Sequence, residues 1–270
     1  MTKTCKVCFE SGIRYDRDIK IGSHGDLVIC DCILKKCTCG GVPPYQTFQK
    51  ETGHSWCACR SARVKLAATK KAFKESQIPK KYQWKFYEDF KIVAPIANKY
   101  AGIASTIHEQ RPDIKWSKGF YLWGGAGSGK TLLAAIILQE LMLKYGLAGR
   151  FVDLSRQFFQ RLKNSYDVSS DSGENAGEIL EELIRIPFLV IDDFGVQRNT
   201  EWESEMLYNL IDSRYSDERV TIVTSNFPLS KYKEVAQGRV HSRLLEMCSI
   251  VNLELSDYRE TFTRDNSNLI

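Results

Sequence analysis

The sequence predicts an α/β protein: a mostly parallel sheet covered by helices, preceded by a small cysteine-rich module that needs metal to fold. Three observations carry this. Past Ile78, short apolar runs alternate with longer helical stretches, a pattern that places helices on both faces of a parallel sheet. Between one such run and the helix after it lies Gly124-Gly125-Ala126-Gly127-Ser128-Gly129-Lys130-Thr131, a phosphate-binding loop in the strand–loop–helix setting it requires. Eight of the nine cysteines fall between Cys5 and Cys59, and in a reducing compartment clustered thiols read as metal ligands rather than disulfides.

At 270 residues the chain has room for one large domain or two unequal ones, and its 43% hydrophobic content suffices for a buried core. No apolar run approaches the ~20 residues that span a bilayer. The opening MTKTCKVCFESG lacks the apolar stretch of a signal peptide. A cytoplasmic location without a membrane partner is therefore expected.

Residues 1–60 carry the cysteines and many turn formers, among them Gly40, Gly41, Pro43 and Pro44. Short strands such as Asp26–Ile29 fit there better than helices. Residues 61–77 form a basic connecting helix within an unbroken run from Arg60 to Gln77, stopped before Pro79. Residues 78–270 form the nucleotide-binding domain. Its expected strands are Phe120–Trp123, Phe151–Leu154, Phe188–Ile191, Thr221–Thr224 and Ile250–Leu255. Its expected helices are Thr131–Tyr145, Ser155–Tyr166, Glu178–Ile184 and Glu203–Tyr215. Ser169–Gly177 is almost without apolar residues and is expected to be a mobile loop.

The loop chemistry is specific. Its glycines let successive backbone N–H groups turn inward toward phosphate oxygens, and the helix that follows adds its positive end. Lys130, on a surface loop, reaches the β- and γ-phosphates of ATP, and the Thr131 hydroxyl holds Mg²⁺. The second half of the site is Phe188-Leu189-Val190-Ile191-Asp192-Asp193, a buried strand ending in two carboxylates. Asp192 is assigned to the Mg²⁺ shell and Asp193 to the attacking water. A further strand ends in Ser225-Asn226, which puts Asn226 where it can orient water against the γ-phosphate.

Together these residues resemble the AAA+ ATPases of the DnaC/DnaI/IstB group of helicase loaders and transposition helpers. The match rests on GGAGSGKT, on FLVIDDFG with Gly195, on Ser225-Asn226-Phe227-Pro228, on Gly238-Arg239-Val240-His241-Ser242-Arg243-Leu244, and on Ile78–Phe90 as the opening segment. It covers roughly residues 78–260. The resemblance implies that Arg239 is an arginine finger acting on ATP held by a neighbouring copy, with Arg243 as the second candidate. Asp193 stands where wider AAA+ proteins carry glutamate, which points to slow hydrolysis, a switch more than a motor. Few residues follow the last strand around Asp257-Tyr258-Arg259, so a C-terminal lid domain is not expected.

The cysteines come as Cys5-x₂-Cys8, Cys30-x-Cys32, Cys37-x-Cys39 and Cys57-x-Cys59. Zinc is commonly held by two such pairs, so eight thiols suggest two Zn²⁺ sites. Consecutive and interleaved pairing are both open. His24 and His54 are read as loop residues, since the thiols already complete two sites. An iron–sulfur cluster and redox-active dithiols are the alternatives. Loaders of the DnaI type similarly carry an N-terminal zinc module, with fewer cysteines than here. Cys248, far from the rest, reads as a core thiol.

Arg60, Arg63, Lys65, Lys70, Lys71, Lys74, Lys80 and Lys81 crowd the connecting region, either as a solvated helix face or as a phosphate-contacting surface. In the resembling loaders the Ser155–Tyr166 region lines a single-strand path, which makes Lys163 a candidate DNA contact. The reading that results is an ATP-dependent loader of a replicative, DnaB-like DNA helicase. The zinc module grips the helicase, and the ATPase domain self-associates through its ATP sites and holds single-stranded DNA. Its rivals are an IstB-like transposition helper and a zinc adaptor that senses nucleotide without hydrolysing it.

Overall fold

The computed structural model describes residues 5–8, 10–50, 53–90, 118–154, 158–166, 175–195 and 200–253. By internal contacts the chain divides into two units, Met1–Ser76 with Gln139–Ala148, and Gln77–Leu138 with Gly149–Ile270.

In the first unit, β1 (Ile13–Ile21) pairs antiparallel with β2 (His24–Ile29), and β3 (Gln46–Gln49) with β4 (Gly53–Trp56). A single-turn helix α1 (Asp31–Leu34) follows β2, and α2 (Arg60–Glu75) follows β4. Sequence reading found β2 but not β1, whose IRYDRDIKI is charged enough to pass for a loop. Among the described residues Ile13, Ile29 and Ala62 form a small buried cluster, with Ile33, Leu66 and Leu143 packed against them. A core this small does not hold a fold unaided. Gly12 permits the approach of α2: its φ is 75°, and a Cβ there would come 2.9 Å from that of Ala62. The helix stops where Gln77 turns left-handed at φ 58°, just before Pro79.

The second unit is a five-stranded sheet. Its strands are β5 (Gly119–Trp123), β6 (Gly149–Asp153), β7 (Phe188–Phe194), β8 (Val220–Ser225) and β9 (Cys248–Asn252). They lie in the order β6-β7-β8-β5-β9, every pairing parallel. The helices are α3 (Lys130–Tyr145), whose part from Gln139 on belongs to the first unit, α4 (Phe159–Tyr166), α5 (Ala176–Arg185), α6 (Glu201–Ser216) and α7 (Arg239–Met247). Phe188, Leu189, Val190 and Ile191 are all fully buried, as a parallel strand covered on both faces must be. The mostly parallel α/β arrangement expected from the sequence is thus the observed one.

Element ends moved by a few residues, and the reasons are local. Helix α5 starts earlier than expected because Asn175 caps it, its side chain accepting the Gly177 N–H at 2.9 Å. Ala176 and Gly177 therefore belong to a helix, not to the expected loop, and residues 169–174 lie outside the described residues. Thr200 caps α6 in the same way, accepting the Glu203 N–H at 3.2 Å. Ser155, Arg156 and Gln157 at the start of the expected Ser155–Tyr166 helix, and residues 254–270 with the expected absence of a lid, lie outside the described residues. Ile78–Phe90 forms two short 3₁₀ turns, Lys80–Tyr82 and Tyr87–Asp89.

One buried residue was invisible in the sequence. Arg214 on α6 is fully buried and donates to the carbonyls of Leu183, Ile186 and Val220 at 2.7, 2.8 and 2.7 Å and to Thr221 Oγ1 at 2.9 Å. It closes the C-terminal end of α5 and joins it to the start of β8. Burial pulls its pKa down to about 9, so it stays charged at neutral pH.

Candidate nucleotide site and cysteine centres

The loop from Gly124 to Gly129 links β5 to α3 at the C-terminal edge of the sheet. Gly124, Gly127 and Gly129 all have positive φ. Gly124 is required for a second reason, since a Cβ there would land on the Leu253 carbonyl oxygen. Lys130 is not exposed as the sequence suggested. It is only 6% exposed, and its Nζ donates to the Gly124 and Gly125 carbonyls at 3.0 and 2.7 Å and to Ser128 Oγ at 3.3 Å. The ammonium is held by the loop's own oxygens.

Strand β8 lies between β5 and β7, and it completes the site. The hydroxyls of Thr131 and Thr224 both donate to Asp192 Oδ1, at 3.0 and 2.6 Å, while Thr224 Oγ1 accepts the Asp193 N–H at 3.1 Å. Burial raises the Asp192 pKa to about 6, and the nearby Asp193 and Asp153 carboxylates push the same way. A half-compensated carboxylate beside a hydroxyl suits a divalent cation. The residues present therefore fit Mg²⁺, with Thr131 and Asp192 to hold it. Asp193 itself adopts φ 57°, an αL conformation that aspartate tolerates better than most side chains.

Beyond Asp193, the chain is anchored by Ser225, already part of the quoted motif, and by Tyr232, which the sequence did not single out. Ser225 Oγ donates to the Phe194 carbonyl at 2.8 Å and accepts the Phe227 N–H at 3.1 Å. Tyr232 brings its hydroxyl to 3.0 Å from Ser225 Oγ and 3.2 Å from the Phe194 carbonyl, its ring edge-on to Phe194. At Gly195, φ 97°, any Cβ would strike that hydroxyl. The glycine after the two aspartates is thus explained by Tyr232. Asn226 follows directly and is exposed.

Arg239 and Arg243 lie on α7, where neither contacts the loop among the described residues. Arg243 pairs with Asp212 at 2.8 Å and stacks on Tyr215. Arg239 is exposed and makes no ion pair among the described residues; it rests on the Tyr208 ring at 4.2 Å and donates from Nε to the Ala236 carbonyl. Lys163 pairs with the buried Glu203 at 2.9 Å.

The eight clustered cysteines gather into Cys5, Cys8, Cys30, Cys32 and Cys37, Cys39, Cys57, Cys59, the Sγ atoms of each group all within 4.8 Å of one another. The consecutive pairing is the one the fold builds. Neighbouring Sγ atoms are 3.5 to 4.0 Å apart, far beyond a disulfide and close to the ~3.8 Å edge of a tetrahedron with ~2.3 Å Zn–S bonds. The Thr38 N–H donates to Cys57 Sγ at 3.4 Å and Arg63 Nε to Cys59 Sγ at 3.3 Å, bonds that favour thiolate over thiol. Four thiolates in this spacing fit Zn²⁺. Neither histidine joins a group: His24 bonds the Gly25 carbonyl, and His54 packs on Phe48.

Comparison with known proteins follows the same lines. The sequence model of the family described as "IstB-like ATP binding protein" matches residues 112–266, more than half of the chain. The chain belongs to the IstB-like ATP-binding protein family. Among curated relatives of this family member, the replicative helicase loader DnaC of Escherichia coli K12 is 24% identical over 201 residues, 73% of this chain and 78% of DnaC. The replicative helicase loader DnaI of Bacillus subtilis 168 is 29% identical over 151 residues, 51% of this chain and 46% of DnaI. A crystal structure of the DnaC helicase loader superposes with a TM-score of 0.55 at 27% identity, over 64% of this chain and 99% of that one. A DnaI crystal structure gives the same TM-score at 23% identity, over 65% and 94%. The AAA+ fold expected from the motifs is therefore the fold of this IstB-like protein. Among the described residues no helix is long and apolar enough to cross a membrane.

Proposed function

We propose that this chain is an ATP-hydrolysing loader of a replicative DNA helicase, working in the cytoplasm. One observation carries the loader reading over other IstB-like functions. The similarity to DnaC runs over 73% of this chain and 78% of DnaC, far beyond the phosphate loop that all such ATPases share.

In this reading Lys130 leaves the carbonyls of Gly124 and Gly125 for the β- and γ-phosphates, an exchange of neutral acceptors for charged ones. Thr131 and Asp192 hold Mg²⁺, which when bound neutralises charge developing on the transferred phosphoryl group. Asp193 accepts a proton from the attacking water, and Asn226 orients that water. Arg239 serves a neighbouring copy: it is exposed, whereas Arg243 is committed to Asp212. The two zinc-held cysteine centres organise the module that grips the helicase, and the assembled ATPase units hold single-stranded DNA.

The test is helicase loading itself. A DnaB-like hexamer is added to a closed single-stranded circle, and unwinding of an annealed oligonucleotide is followed with and without this protein and ATP. Unwinding that requires both supports the reading. Unwinding unaffected by the protein, together with a preference for duplex DNA and stimulation of a transposase, would make it a transposition helper instead.

A further inference from the structure

The cations from Arg60 to Lys74 on α2 continue upstream into the cysteine module as Lys35, Lys36 and Lys50. Between residues 32 and 74 the chain has nine lysines and arginines and a single acid, Glu51. Over the whole chain the basic excess is only five, so the positive charge is concentrated here. A zinc ion on four thiolates adds a formal charge of about −2 at the second cysteine centre, which leaves the excess in place. Some of these cations are engaged: Lys70 pairs with Asp26, and Arg63 donates to Cys59. Lys50 and Arg60 are exposed and make no ion pair among the described residues.

The same segment displays aromatic rings with no core to fill. In the β3–β4 hairpin, Gln46 lies opposite Trp56 and Phe48 opposite His54, so Phe48, His54 and Trp56 share one face. Thr47 and Ser55 bond each other at 3.1 Å on the other face. Phe48 is 66% exposed and Trp56 56%. Arg60 lies over the indole at 3.9 Å, and Phe48 and His54 meet edge-on. Exposed rings in a cationic setting match a chain of unpaired bases on a phosphate backbone, which stacks on aromatic and guanidinium planes while cations meet its phosphates. A duplex hides its base faces and offers only the second of these contacts.

We propose that the Phe48–His54–Trp56 face of the hairpin, edged by Arg60 and Lys50, is a stacking platform for single-stranded DNA that works without nucleotide. The choice of DNA over RNA rests on the loader reading; the stacking chemistry does not. The platform would keep the loader on an exposed strand between rounds of ATP use.

The test uses the full-length, zinc-loaded protein without nucleotide and a labelled oligothymidylate of about 20 nucleotides, followed by fluorescence anisotropy. Trp56→Ala and Phe48→Ala, which remove exposed rings, should keep the zinc content and melting temperature. Each should weaken oligothymidylate binding about tenfold, as loss of one stacked base predicts, and leave duplex binding little changed. Unaltered oligothymidylate affinity in both variants would overturn the proposal. So would equal losses on duplex and single strand, or tighter binding of oligouridylate. Unaltered DNA binding with lost helicase capture would make the face a protein-docking surface and overturn it as well. Any gain in affinity when ATP is added reports on the ATPase assembly, so the loader reading stands or falls on a separate signal.

Discussion

Lys130 shows how a side chain's setting can escape a sequence that names its motif. It is buried against its own loop, so Lys130→Ala removes hydrogen bonds in the free protein as well as in the ATP complex. The substitution should lower stability by about 1 kcal/mol, the net contribution of a hydrogen bond. It should weaken ATP binding at least about tenfold, because bonds to charged groups contribute ~1.5–3 kcal/mol. Thermal melting and titration with a fluorescent ATP analogue check the two effects, and unchanged affinity in a folded variant would contradict the assignment. Arg239 makes a different prediction. Acting on a neighbour's ATP, Arg239→Ala should keep nucleotide binding and lower hydrolysis by ~10³ or more, as for other arginine fingers. Mixing it with Asp193→Asn protein should restore activity at hybrid interfaces. Failure of rescue in proven mixed assemblies would leave Arg239 as a residue that merely rests on Tyr208.

At the scale of elements, two buried contacts couple strand ends that are distant in sequence. Arg214 gathers carbonyls from the end of α5 and the start of β8. Arg214→Ala would leave several of them without a donor at a fully buried site, at ~1–3 kcal/mol for each acceptor left unsatisfied. A loss of at least ~3 kcal/mol in chemical denaturation is expected; a loss below 1 kcal/mol would mean that water or a neighbour replaces it. Tyr232 ties the turn after Asp193 to the segment following β8. Tyr232→Phe keeps the ring against Phe194 and deletes only the hydroxyl, so about 1 kcal/mol of stability should go. The Ser225 contact to Phe194 remains in that variant. If the turn positions Asp193, hydrolysis should fall while ATP affinity holds; equal falls in both would assign Tyr232 to packing alone.

For the whole molecule, the contrast lies between a unit whose described residues form a small buried cluster and one built on a five-stranded sheet. Structural zinc contributes ~10–16 kcal/mol of binding energy to small modules that lack a core. Purified protein should therefore contain about two zinc ions per chain, measured by plasma emission. A chelator should abolish amide protection around the cysteine centres while nucleotide binding persists. Iron in place of zinc, or a cysteine module that stays protected without metal, would refute this.

The sequence by itself determined what contiguous residues decide. The glycines of Gly124–Gly129 fix their loop through their own φ angles, and the apolar run ending in Asp192-Asp193 announces a buried strand with carboxylates at its end. The cysteine count likewise announced two four-thiol clusters. Only the tertiary structure decided which thiols share a site, since that depends on where the β1–β2 and β3–β4 hairpins bring Cys8 against Cys32 and Cys39 against Cys59. It also decided that Thr224, Tyr232 and Arg214 matter, and what the Ser225 hydroxyl holds. Each acts through hydrogen bonds to groups 6 to 38 residues away, and side chains that pair across the fold leave no periodic mark in the sequence. The exposure of Trp56 and Phe48 was beyond the sequence for the same physical reason. An aromatic residue in a strand is apolar whether it faces a core or water, and only the neighbours that the fold supplies distinguish the two.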